Sequence, residues 1–312
     1  MPCRRLHELP PPPPGKVGWP WTEETPPLRN EGADAATGLK VSVVTPSFNQ
    51  GQYLEETIRS VLLQGHPNLE YIVIDGGSSD GSVEIIRKYE PWLSYWTSEP
   101  DRGQSDAINK GFARASGQIF GWLNSDDVYE PGALQRVAGY FAAEPACELL
   151  YGTGWYLDAN SVKTEACSWI RSFDPDLLLT FNFILQPAAF WRRSLWQRTG
   201  ELNISYHWAM DWEWFIRATR TAPPHFLRED FARWRITPEI KTRSGGDVRR
   251  AELAEISRKY GGRWQPTYLA YRLDTFAHQV AGRYPFGRIL QYAIIGIRGA
   301  LQETVWRNQC LS

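Results

Sequence analysis

The stretch EYIVIDGGSSDGSVEIIRKY, residues 70–89, decides how the chain is read. EYIVIDG is a short β-branched run bounded by glycine, the pattern of a buried strand. SVEIIRKY (82–89) continues as a helix. Between them, DGGSSDGS holds glycines that let a backbone approach a ligand closely, and Asp and Ser residues of the kind that cap helices.

Working outward, the same punctuation repeats. KVSVVTP (40–46), LSYWTSE (93–99) and QIFGWLN (118–124) read as further strands. YLEETIRSVLLQ (53–64), SDAINKGFARA (105–115) and PGALQRVAGYF (131–141) read as helices. In the first of these, Leu54, Ile58, Val61 and Leu62 share one face, and the last is expected to place Pro131 at its first position. Strands alternating with helices predict an α/β fold, a parallel sheet covered on both faces that binds ligands beyond the carboxyl ends of its strands. The second half is less regular. LLYGTGWYLD (149–158) and QPAAFWR (186–192) look like strands, AMDWEWFIRATR (209–220) a helix, and PHFLREDFARWRI (224–236) a strand pair or a strand after a turn.

Composition narrows the function classes. The 312 residues are 42% hydrophobic and 22% charged with a formal net charge of −1, ordinary for a globular protein and without an electrostatic signal for nucleic acid. Fifteen tryptophans suit cores and sugar-facing surfaces alike, and core filling is expected to claim most of them. Cys3, Cys147, Cys167 and Cys310 show no metal-ligand spacing, which argues against a zinc site or a disulfide framework. There is no N-terminal apolar stretch of signal-peptide length, and YAIIGI (292–297) is too short to span a bilayer, so a cytoplasmic location is expected.

The chemistry gathers at three strand ends. TPSFNQG, DGGSSDGS and NSDD would share one rim, bringing Asp75, Asp126 and Asp127 together. Two adjacent carboxylates repel each other and resist losing water. A Mg²⁺ or Mn²⁺ ion would reconcile them, and such ions share their coordination shell with substrate phosphates. Either motif alone is as readily a turn or a helix cap. Both at successive rim positions point to a nucleoside-diphosphate site.

VSVVTPSFNQGQYLEETIRSVLLQ, YIVIDGGSSDGSVEII, SEPDRGQSDAINKGFARASGQIFGWLNSDD and AMDWEWFIR together resemble the family-two glycosyltransferases of the GT-A fold, bacterial enzymes of surface-polysaccharide assembly among them. The resemblance covers roughly residues 40–242. It implies a Rossmann-like, mostly parallel sheet and an inverting, metal-dependent transfer of sugar from a nucleoside-diphosphate donor to an acceptor hydroxyl. The setting would be cell-surface polysaccharide or glycolipid synthesis. A UDP-sugar is the favoured donor, and a saccharide or lipid-linked saccharide the acceptor.

Residue by residue, the resemblance places Pro46, Phe48 and Asn49 against the nucleobase and ribose, and Asp75 as a hydrogen-bond acceptor from the base. Gln104, Ser105, Asp106 and Asn109 would face the nucleotide. Asp126 would lie near the ribose and the metal's waters, with Asp127 the direct metal ligand. Asp211 would be the catalytic base, walled by Trp208, Trp212 and Trp214. Glu213 competes for that role, but Arg217 stands one helical turn on and would occupy it.

The implied organisation is a Pro-rich arm (1–39), partly docked through Trp19 and Trp21, then a glycosyltransferase domain (40–245) and a C-terminal helical region (246–312). The domain would divide into a nucleotide-binding half (40–142) and an acceptor half (143–245). The tail carries six arginines against two acidic residues over 262–312, which fits either peripheral contact with the inner face of the membrane or a helix packed on the domain. Two departures from the family matter. No QxxRW motif or run of membrane spans follows Asp211, which argues against a processive synthase, and Thr237 stands where many relatives carry a histidine. The alternatives are a sugar-nucleotide nucleotidyltransferase, which would need a basic residue in TPSFNQG, and a non-catalytic carbohydrate-binding relative, against which Asp75, Asp127 and Asp211 stand.

Overall fold

A computed structural model describes residues 4–28, 38–237 and 245–261. The basic tail at 262–312 lies outside the described residues. Strands β1 (Val41–Ser47), β2 (Leu69–Asp75), β3 (Tyr95–Ser98) and β4 (Ile119–Trp122) pair in the order β3-β2-β1-β4, all parallel. Between them run helices α1 (Gly51–Leu62), α2 (Ser82–Tyr89) and α3 (Gln104–Arg114). All seven residues of β1 are buried, as expected of a strand covered on both faces. Leu54, Ile58, Val61 and Leu62 of α1 pack into the core. Helix α3 approaches β1 so closely that a Cβ at Gly111 would overlap the Val44 side chain, so only glycine fits there.

Beyond β4 the sheet continues without a break across residues 142 and 143. It adds β8 (Ala189–Arg192), β6 (Leu149–Leu157), β9 (His225–Arg235) and β5 (Val128–Tyr129), with β7 (Lys163–Ala166) on the side of β6. Here directions mix: β4–β8, β8–β6, β9–β5 and β6–β7 are antiparallel and β6–β9 is parallel. Helices α4 (Ala133–Ala143), α6 (Arg193–Thr199) and α7 (Met210–Thr221) complete this part.

Three local expectations are corrected. Helix α4 starts at Ala133, not Pro131, because Gly132 adopts a left-handed conformation (φ 69°) that ends helical continuity ahead of it. In QPAAFWR, residues 186–188 form a 3₁₀ turn and only Ala189–Arg192 are strand. PHFLREDFARWRI is a single strand, β9, whose pairing with β6 slips twice at Tyr151–Gly154.

The N-terminal arm is a strap. Leu9, Trp19 and Trp21 are buried. Arg59 of α1, itself fully buried, donates to the carbonyls of Pro10, Pro20 and Trp21 and to the Tyr89 hydroxyl. The Trp19 indole donates to Tyr129 O (2.7 Å), and Gln135 Nε2 donates to Pro26 O (2.8 Å). A second compact unit is described over residues 174–182 and 245–261. It holds one turn, α5 (Pro175–Leu178), capped by Asp174, and the helix α8 (Gly246–Gly261).

At the amino end of the parallel strands, Glu70 is bound by Lys40 Nζ (2.7 Å), Ser42 Oγ (2.5 Å) and the Ser116 amide and hydroxyl (both 2.7 Å). Burial alone would raise its pKa, but these donors more than offset that and hold it at about 2 against an ordinary 4.5. A depressed folded-state pKa stabilises the fold above the unfolded value, and that contribution disappears as pH falls through the folded one. Glu70→Gln is therefore expected to cost on the order of 2 kcal/mol at neutral pH, after discounting for the partly exposed lysine. The gap should close as pH drops from 4.5 towards 2. Denaturant midpoints of both chains across that range check it, and a gap that is constant with pH would refute it.

Candidate active site

The rim is built from the carboxyl ends of β1, β2 and β4. Asp75, at the end of β2, is fully buried. Its carboxylate accepts from the amides of Gly77 (3.1 Å) and Ser78 (2.9 Å) and from the hydroxyls of Ser78 (2.6 Å) and Ser98 (2.7 Å). Gly77 permits this because its φ of +84° folds the loop back over the carboxylate. The loop is stitched to the end of β1 by Asn49, whose amide donates to Ser78 Oγ (2.7 Å) and whose side chain accepts from Ser79 N (2.9 Å). Pro46 is buried within β1, paired with Ile74, whereas the Phe48 ring is 61% exposed. A Cβ at Gly76 would lie 3.3 Å from that ring and 2.7 Å from Asp101 Oδ2, so the ring, the loop and Asp101 share one wall.

Helix α3 contributes Gln104, which donates to Asn124 Oδ1 (2.7 Å) and so reaches the NSDD segment. Its other predicted contacts turn elsewhere. Asp106 is held by Arg102 (2.7 Å) and Lys110 (3.4 Å), and the Arg102 bonds keep its carboxyl below the usual range. Ser105 Oγ donates to Tyr206 O (3.3 Å), and the Asn109 amide exchanges two bonds with the Leu202 backbone. These contacts tie the loop before α7 to α3, and His207 comes within 3.6 Å of a Cβ built on Gly103. The segment that leads into α7, whose first turn carries Asp211, is thereby held against α3, the helix of Gln104.

At the end of β4, Asn124 is the hub. It accepts from the Trp122 indole (2.6 Å) and donates to Asp127 Oδ2 (3.1 Å) and Gln186 Oε1 (3.2 Å). Asp127 is 1% exposed, and its other oxygen accepts from Arg235 N (3.0 Å). Its neighbour Asp126 is half-buried and bonds its own backbone amide. Burial, and then the charge of Asp126, push Asp127 well above the usual carboxylate range, against the opposing pull of Arg235 and Asn124. Burial raises Asp126 as well. Without a cation the pair resists carrying two charges.

The donor set fits a hard divalent cation: two carboxylates with lone pairs to spare, one of them facing solvent. Among the described residues no group of three His, Cys, Asp or Glu is gathered to hold a metal. The remaining positions would fall to water and phosphate, as is usual for Mg²⁺.

The walls predicted around Asp211 are corrected. Trp212 and Trp214 are each 2% exposed, and Trp214 packs on Trp191 (4.6 Å between centroids) and Trp196 (5.4 Å). They are core, because the helix needs an apolar face to sit on the sheet. Trp208 is half-buried and sits edge-on to His207. Glu213 is locked as expected, with Arg217 Nε and Nη2 donating to both its oxygens at 2.9–3.1 Å.

Two residues at the site escaped the sequence reading, Glu56 and Arg235. The fully buried Arg235 pairs with Glu56 (2.8 Å) and donates to the carbonyl of Asp126 (2.7 Å). Of the carboxylates nearby, only that of Glu56 pairs with the guanidinium; Asp126 meets it through its carbonyl, and Asp127 accepts from the Arg235 backbone amide. A charged pair in RWRIT with a partner on α1 was the available signal, but 179 residues separate the two.

A parallel half-sheet with two adjacent carboxylates at the carboxyl end of its fourth strand has the arrangement expected of a GT-A glycosyltransferase. The model of glycosyl transferase family 2 matches residues 42–186. An uncharacterised glycosyltransferase of Mycobacterium tuberculosis is 33% identical over 233 residues, 72% of this chain and 87% of its own length. The chain belongs to glycosyl transferase family 2. A PGL/p-HBAD biosynthesis glycosyltransferase of Mycobacterium bovis BCG is 31% identical over 180 residues, 56% of this chain and 68% of its own. Among solved structures, S. aureus TarS in complex with UDP-GlcNAc superposes with a TM-score of 0.56 at 16% identity, covering 82% of this chain and 89% of that one. The mannosyltransferase PcManGT of Pyrobaculum calidifontis in complex with GDP-Man and Mn²⁺ gives 0.54 at 15% identity, covering 88% and 80%.

Proposed function

We propose that this glycosyltransferase inverts the anomeric centre, uses Mg²⁺ or Mn²⁺, and moves a sugar from a nucleoside diphosphate to an acceptor hydroxyl in glycolipid or surface-polysaccharide synthesis. The observation that carries this is the Asp126–Asp127 pair at the end of β4, on the edge of the parallel sheet that also bears Asp75. The neighbours' ligands, UDP-GlcNAc in TarS and GDP-Man with Mn²⁺ in PcManGT, support a nucleotide-sugar donor. The glycolipid assignment of the mycobacterial relative supports the acceptor class. No helix among the described residues is long and apolar enough to cross a membrane.

In this reading Phe48 stacks on the nucleobase, with Asp75 and the loop it braces forming the polar side of the base site. Asp126 and Asp127 exchange the roles that the resemblance implies. Asp127 is 1% exposed and braced through both oxygens, whereas Asp126 is partly exposed, so direct contact with the cation is assigned to Asp126, with Asp127 holding the loop behind it. A bound cation would supply charge neutralisation as the diphosphate leaves. Ser105 and Asn109 act by holding the 202–206 loop, which sets the start of α7. Asp211 takes the proton of the acceptor hydroxyl, whose own pKa lies far above neutral. Attack from the face opposite the leaving group inverts the centre, by the same geometry as in inverting glycosidases.

A panel of UDP- and GDP-sugars, each with and without Mn²⁺ and with lipid-linked and free saccharide acceptors, tests the reading. Release of nucleoside diphosphate that needs both metal and acceptor is the expected result, with product of inverted anomeric configuration. Product of retained configuration, or turnover unaffected by chelation, would overturn the corresponding part.

A further inference from the structure

Arg235 is 0% exposed, and each of its three guanidinium nitrogens donates at least one hydrogen bond. Nε donates to Asp126 O (2.7 Å), Nη1 to Asp158 O (2.8 Å) and Ser161 Oγ (3.0 Å), and Nη2 to Glu56 Oε2 (2.8 Å). Its plane lies over Tyr53, 4.2 Å from the ring centroid. Its backbone amide donates to Asp127 Oδ1 (3.0 Å). A single residue therefore grips the carboxylate loop, the turn between β6 and β7, and helix α1.

The turn shows the other side of this grip. Ser161 is a non-glycine residue in the left-handed region, with φ 66°. Such backbone persists only where its surroundings over-determine it. Here the Ser161 hydroxyl donates to Glu56 Oε2 (2.5 Å) while accepting from Arg235. The adjacent Val162 is 55% exposed, and all four residues of β7 are exposed. The exposed strand β7 and the turn before it are thus pinned to the same buried residues that hold the carboxylate loop.

A buried ion pair is poor evidence for stability, since desolvation of the charges offsets most of their attraction and a matched apolar pair often serves as well. Its distinctive property is direction: a planar guanidinium can hold two backbone carbonyls and a carboxylate in one register. We propose that Arg235 and Glu56 form a positioning assembly that sets the carboxylate loop (124–127) and the β6–β7 turn (158–162) in a single register. The exposed hairpin and the donor-side carboxylates then order or loosen together. Neither residue touches donor or acceptor. The effect on nucleotide binding rests on the metal reading above, whereas the mechanical linkage does not.

The test uses the full chain with Glu56→Met and Arg235→Met combined, which removes the pair without leaving an orphan charge. Arg235→Lys is made beside it, since lysine can still pair with Glu56 but cannot reach Asp126 O and Asp158 O at once. Amide hydrogen exchange without metal or nucleotide should accelerate at least about tenfold in both 124–128 and 158–163 in each variant, with 116–118 at the far end of the sheet unchanged. Calorimetry with UDP should show the Mn²⁺-dependent gain in affinity falling about 10–100-fold, while metal-free affinity stays at the wild-type value. Exchange that rises in only one segment, or in neither, overturns the proposal. Metal-free and metal-dependent affinities falling by the same factor overturn it too, because that marks general loosening. If the double variant does not fold, Arg235→Lys carries the same readouts. A wild-type chain with no Mn²⁺ gain overturns the metal reading instead, and the exchange pattern alone then decides the linkage.

Discussion

Asp211→Asn is expected to lower turnover by about 10²–10⁴-fold, the range of general-base catalysis, with donor affinity close to wild type. The substitution keeps size and shape and removes the proton acceptor. Turnover lost with binding intact marks an interaction made in the transition state. Glu213→Gln is the control, and the structure sharpens it. Glu213 is 2% exposed in its side chain and holds Arg217 through both oxygens, so this substitution should lower the unfolding midpoint while leaving turnover of the folded enzyme nearly unchanged. Steady-state kinetics with measured donor affinity, alongside denaturant titration, separates the two. A dead Glu213→Gln beside an active Asp211→Asn would reassign the base.

The second large effect separates two adjacent carboxylates. Asp126→Ala should abolish most of the Mn²⁺-dependent gain in nucleotide affinity, about 100-fold or more, and leave the unfolding midpoint in place. Asp127→Ala should act first on stability. It leaves the Arg235 amide and one Asn124 donor buried without their partner, at about 1–3 kcal/mol for a group so stranded. Calorimetry with UDP, with and without Mn²⁺, and thermal unfolding of both variants decide the assignment. Full metal-dependent affinity in Asp126→Ala would return the ligand role to Asp127.

Much of this was legible in the sequence because local pattern and burial agree in the parallel half. SVEIIRKY forms a helix at the bounds its pattern predicts, since Ile86 and Tyr89 need the sheet and Gly81 opens the turn. The Glu213–Arg217 pair followed from helical spacing alone. What the sequence hid is set by distance along the chain. Glu56 and Arg235 meet only because α1 and β9 converge on the carboxylate loop, and no local pattern encodes that. The tryptophans near Asp211 misled for a related reason. A stripe of aromatics reads the same whether it faces a sugar or a sheet, and the packing of Trp214 on Trp191 and Trp196 puts it with the sheet. The exchange of roles proposed for Asp126 and Asp127 rests on their burial and hydrogen bonds in the folded loop, which no local pattern encodes.

The strap is expected to give the molecule an assembly order that departs from its order of synthesis. It is synthesised before the residues it binds, and two of those come much later. Trp19 waits for Tyr129, 110 residues on, and Pro26 waits for Gln135. Contacts of such long reach form late, after the loop they close has been ordered by other means. Until α4 has emerged, Leu9, Trp19 and Trp21 have only part of their final surface to cover them. Arg59, meanwhile, sits in a nascent α1 whose burial depends on carbonyls of a segment not yet docked. The strap is thus expected to be fastened late, since part of the surface that covers it comes from Tyr129 and Gln135. The run of prolines suits that role, because a stiff extended chain loses little entropy when it is finally laid down.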